Sequence, residues 1–206
     1  MTSRSPAKAP TIRAESKQAG HLARLLEAIA GLHRHATVLV LASAAELVAM
    51  LALEFVFFQR LSGGRLALDM RAFGYTPDEG LAWLTALGRR GSEIVIVWHY
   101  LTFDLLFPAL LSVTFMSLIL WTGRRLRGFA ALPARMQGLL ALGLVLPYAL
   151  ADYAQNAALV RLLSNFLNAN PDSLALASAL TVTSFALATV PLAVILAFLL
   201  AGRKAR

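Results

Sequence analysis

Four stretches of this chain, 36–58, 94–121, 137–160 and 173–201, are long and apolar enough for each to cross a lipid bilayer as a helix. A backbone in hydrocarbon must satisfy its own hydrogen bonds, so spans of this kind are helical. The expected fold is therefore all-α, a transmembrane four-helix bundle. The second stretch is long, but Trp98 and Trp121 bracket about the length a bilayer needs, and indole rings favour the membrane–water interface. The rest of it is expected to tilt or protrude. Pro108, Pro147 and Pro191 fall inside spans, where membrane helices tolerate them and often kink. Charged residues make up 15% of the chain, against about 25% in a soluble domain. There is no cysteine, which excludes disulfides, thiolate metal sites and cysteine nucleophiles.

The net charge of +8 resembles a nucleic-acid signal, but the basic residues lie at the ends of the spans, so no nucleic-acid partner is expected. Of the 19 lysines and arginines, thirteen lie before span one, between spans two and three, or after span four. The other six are Arg60, Arg65, Arg71, Arg89, Arg90 and Arg161. That asymmetry predicts both termini in the cytoplasm.

Residues 1–35 form a basic segment ahead of the bundle at 36–206. Its first part, 1–19, is polar and Pro/Ser/Ala-rich, so disorder is expected there. From Gly20, Leu22, Leu25, Leu26, Ile29 and Leu32 recur at helical spacing. They predict an amphipathic helix, either lying on the cytoplasmic leaflet or extending span one. In the loop between spans one and two, Thr76 suits an N-cap, Pro77 the first helical position and Gly88 a stop. Leu81, Trp83, Leu84 and Leu87 make the helix between them amphipathic. It is expected to lie on the external surface or to cap the bundle.

Acids inside the spans carry the functional signal, because a carboxylate in hydrocarbon needs a partner, a proton or water. With Phe58, Trp98 and Val160 as outer borders, Glu54 lies about 6 Å deep, Asp104 about 9 Å and Asp152 about 12 Å. Thr181, Thr183 and Ser184 fall in a similar layer, and Glu46 lies near the midplane. In span three, Tyr148, Asp152, Gln155 and Asn156 share one helical face. In span two, Tyr100 and Asp104 share a face, with His99 and Thr102 beside it. The expectation is one polar pocket inside the bundle, opening outward.

Plainer roles compete for each residue. Buried polar side chains rivet membrane helices together, which suits Gln155 and Asn156, and hydroxyls satisfy themselves on their own backbone. His99, near the border, is expected to be an interfacial or hydrogen-bonding residue rather than a metal ligand. No metal site and no cofactor are expected. Several carboxylates in one chamber cannot all ionise cheaply, which suits proton exchange or a bound cation or amine.

The run Phe73-Gly74-Tyr75-Thr76-Pro77-Asp78-Glu79, then Ala86-Leu87-Gly88 and Asp104-Leu105-Leu106-Phe107-Pro108, resembles a group of small bacterial four-span membrane proteins. That group carries an aspartate followed by Phe-Pro in span two and Asp-x-x-Glu-Asn in span three. Here the second motif reads Asp152-Tyr153-Ala154-Gln155-Asn156, with glutamine in place of glutamate at Gln155. The resemblance runs from span one to span four and implies an integral inner-membrane protein. It supplies no substrate. A looser architectural likeness exists to the four-span sterol-isomerase and sigma-2-receptor fold, which also buries acids in a ligand pocket.

The first functional expectation is a binding site for a small amine, lipid or sterol-like ligand. Glu54, His99, Asp104, Tyr148, Asp152, Gln155 and Asn156 would line it, with Glu46, Tyr100, Thr181 and Ser184 behind them. A proton- or cation-coupled transporter or channel component stays open beside it. So do an intramembrane acid/base enzyme and a structural partner in a larger complex or homo-oligomer.

Overall fold

The computed structural model describes residues 10–204, with side chains over 20–203. Every regular element among the described residues is helical. Four helices, Gly20–Leu61, Pro77–Gly123, Ala134–Ser164 and Pro171–Arg203, are long and apolar enough to cross a membrane. They contain the four expected spans and run past most of their ends by a few residues or more.

The N-terminal helix α1 (Pro10–Gly31) starts ten residues before the expected Gly20. Ala, Glu, Lys, Gln and Arg are good helix formers, and Pro10 sits at the first position, where its missing N–H costs nothing. Disorder was the expectation for 1–19, so 10–19 depart from it, while 1–9 lie outside the described residues. A 3-10 turn, Leu32–His35, joins α1 to span one. Leu26, Ile29 and Ala30 are buried against the bundle, whereas Leu22 and Leu25 are exposed. The helix therefore docks on the bundle with part of its expected stripe. A Cβ at Gly138 of span three would collide with the backbone carbonyl of Leu26, so only glycine permits this approach. Arg124, at the end of span two, fastens the junction. Its guanidinium donates to the Ala30 carbonyl at 3.2 Å, His33 Nε2 at 2.8 Å and Gln137 Oε1 at 3.0 Å.

Span one comprises α2 (Ala36–Leu53), a π-helical segment at Glu54–Phe58 and a last turn at Gln59–Leu61. Helix α3 (Pro77–Val95) opens with the expected cap. Thr76 accepts from the Glu79 backbone N–H, and Glu79 accepts from the Thr76 N–H at 2.7 Å. This reciprocal pair satisfies two otherwise orphaned donors. Gly88 takes φ 59° and ψ −171° and turns the chain there, as a stop would, but the helix resumes at once and runs into span two. A second π segment, Ile96–Phe103, precedes α4 (Asp104–Gly123). Spans three and four are α5 (Ala134–Ser164) and α6 (Pro171–Lys204).

Span two is central, with spans one, three and four all packed on it, and spans three and four also pair extensively. No extended interface joins span one to span four among the described residues. Two apolar clusters hold the bundle. At the loop end, Trp83, Leu84, Leu68, Leu159, Leu163 and Leu174 pack together, so the amphipathic helix caps the bundle there. Toward the N-terminal side, Phe115, Ile119, Leu120, Ala141 and Val145 form the second cluster with Leu26.

Candidate functional site: a polar-ended cavity between the spans

A cavity of about 400 Å³ is walled by all four spans and by the first loop. Its apolar wall is Leu47, Met50 and Leu51 of span one, Phe107 and Leu111 of span two, and Phe185 and Ala188 of span four. Its polar lining is His99 and Asp104 of span two, Tyr148, Asp152 and Gln155 of span three, Ser184 of span four, and Asp69 of the loop. The two aspartates singled out in spans two and three thus border one space.

The loop folds inward over the expected outward opening. Ala67 and Leu68 are buried, and Asp69 and Met70 line the cavity from that side. The loop is pinned by the Ala67 N–H donating to Glu54 Oε1 at 2.9 Å and the Tyr75 N–H donating to Ser178 Oγ at 2.8 Å. Tyr75 is buried in this loop, which pushes its phenol above the ordinary range. On the lateral side, Leu47 and Phe185 line the cavity while remaining 43% and 42% exposed. Leu47 and Phe185 are thus exposed members of the lining, on spans one and four, which no extended interface joins among the described residues.

The π segment at Ile96–Phe103 sets the polar geometry. Its i→i+5 bonding lets the Asp104 N–H reach the His99 carbonyl and places these two residues over one another. A regular α-helix would have separated them, which is why the sequence pattern grouped Asp104 with Tyr100 instead. Tyr100 is buried outside the lining, its ring edge-on to His99 with centroids 4.8 Å apart. His99 is 2% exposed, and its Nε2 lies 2.6 Å from Asp69 Oδ2. Of the two roles expected for it, interfacial or hydrogen-bonding, it takes the second, at a buried position.

Other assignments move as well. Glu54 is 1% exposed and serves the loop backbone; it does not line the cavity. Asn156 donates from Nδ2 to the Asp104 carbonyl at 2.9 Å, which ties span three to the end of the π segment. Gln155 accepts from Ser184 Oγ at 2.6 Å, while Thr181 bonds its own Ala177 carbonyl. Glu46 is half-buried away from the lining, and Thr183 is exposed. Asp69 escaped notice because it lies in a loop. Its one signal is an acid inside the apolar run Leu66-Ala67-Leu68-Asp69-Met70.

Among the described residues, no lysine or arginine pairs with Asp69, Asp104 or Asp152. The polar end therefore presents acceptors: carboxylates, with the Tyr148 hydroxyl beside them. It can hold a ligand that donates hydrogen bonds, and His99 with the carboxylates could hold a cation. No family model, curated protein or solved structure shows significant similarity to the chain.

Proposed function

We propose that this protein binds a lipid-like amphiphile inside the membrane and that the ligand enters sideways between spans one and four. The observation that carries the reading is the lining of the cavity, mostly apolar with one group of polar side chains; exposed Leu47 and Phe185, on spans one and four, support the lateral entry. Ligand sites of this kind are concave, mostly apolar and supplied with a few placed polar groups, and about 400 Å³ lies within their usual size range. The apolar body lies along Leu51, Leu111 and Ala188. The head, an amine or a hydroxyl group, donates to Asp104 and Asp152. Placement in a bacterial inner membrane with both termini cytoplasmic belongs to the same reading and rests on the basic residues flanking the spans.

Binding is favoured over conduction by what lies beyond the polar end. Toward the N-terminal side the bundle holds an apolar cluster of Phe115, Ile119, Leu120 and Val145, and buried hydroxyls beside it bond within the bundle, Ser43 with Thr114 and Ser117 with the Leu32 carbonyl. The test is mass spectrometry of solvent extracts from protein purified in mild detergent. One amphiphile class enriched over the surrounding micelle, at near one molecule per chain, is the expected result. An extract matching the bulk lipid would overturn the reading.

A further inference from the structure

Asp69, His99 and Asp104 each offer a ligand atom within 4.8 Å of the others, and all three are buried. They come from the first loop, the π segment of span two and the first residue of α4, so the cluster exists only because the loop folds inward. A second observation concerns unmet bonding capacity. Asp69 Oδ1 and His99 Nδ1 are buried with no hydrogen-bond partner, on residues 8% and 2% exposed. Two carboxylates with no lysine or arginine paired to them, and one imidazole, make a compact donor set beside an apolar wall.

We propose that Asp69, His99 and Asp104 bind a divalent transition metal ion, zinc or manganese in class. One imidazole nitrogen and two carboxylate oxygens are a mixed set that suits these ions, with ligand bonds of about 2.0–2.2 Å. Ligand atoms around such an ion lie within about 4.2 Å of each other, so a small inward rotation of the aspartates suffices. Binding displaces the proton shared by His99 Nε2 and Asp69 Oδ2 together with any proton held on Asp104, and these leave through the cavity. Two carboxylates neutralise the ion's two charges, which stabilises both in a medium where unpaired charge is costly. The ion also locks the loop to span two. Asp104 is shared with the amphiphile reading; with the ion bound, Asp152 and Tyr148 of the same lining remain for an amphiphile head, and the ion site itself requires no amphiphile.

The test uses the full chain in detergent, stripped with a chelator and titrated with Zn2+ or Mn2+ alone by calorimetry, with bound metal counted by elemental analysis. One ion per chain is expected. Asp69→Asn and His99→Gln should each weaken binding at least about tenfold. His33→Gln, in the junction at the other end of the bundle, should leave it unchanged. Visible absorption of the Co2+-loaded native chain provides a readout that needs no variant: ligand-field bands that zinc displaces are expected. No stoichiometric ion and no cobalt bands, or binding that survives both substitutions, would overturn the proposal. Amphiphile retention is measured separately, so either proposal can fail alone.

Discussion

Ala188→Trp should close the cavity. Ala188 lies on span four in the apolar wall and is only partly buried, so an indole there can occupy space within the cavity. It displaces about nine non-hydrogen atoms of ligand, and at about 0.3 kcal/mol per atom the loss is about 2.7 kcal/mol. That is a weakening of about a hundredfold. Val190→Trp is the control. Val190 is exposed on the same helix and is not part of the wall, so an indole there points away from the cavity lining. Native mass spectrometry of the purified variants reads occupancy directly. Wild type and Val190→Trp should carry the amphiphile adduct, and Ala188→Trp should lose most of it while melting at a similar temperature. Equal occupancy in all three proteins would refute the lateral binding site.

Other substitutions probe the scaffold around it. Glu54→Ala strands the buried Ala67 N–H and should cost about 1–3 kcal/mol, whereas Glu54→Gln keeps an acceptor and should cost less. Faster hydrogen exchange over 62–76 in the alanine variant alone is the readout. Gly138→Ala pushes a methyl group into the Leu26 carbonyl and should destabilise the docked α1 by about 1–3 kcal/mol, measured as a lower melting temperature or new proteolysis near 20–31. Thr76→Ala removes the reciprocal cap and should cost about 1 kcal/mol, read as faster exchange in the first turn of α3.

Apolar length was enough to place the four helices that are long and apolar enough to cross a membrane, because so long an apolar segment has few options but to be helical. Thr76, Pro77 and Gly88 were legible for a similar reason: each acts through its own backbone position. Residues acting through distant partners were harder to read. Asp69 gains its role from His99, thirty positions away, and only after the loop folds back. The two π segments carry no compositional mark, and one of them rotates His99 toward Asp104. Glu54 was put in the pocket by a depth estimate that treats helices as straight cylinders. That estimate cannot anticipate a loop amide arriving to occupy the carboxylate. Tyr148, Asp152 and Gln155 hold their shared face because α5 is a regular helix through that region.

The most direct test of the central claim is a density map of the protein in lipid nanodiscs. The account predicts elongated density entering between Leu47 and Phe185 and ending beside Asp104 and Asp152. Spans one and four packed against each other, with no cavity between them, would contradict it.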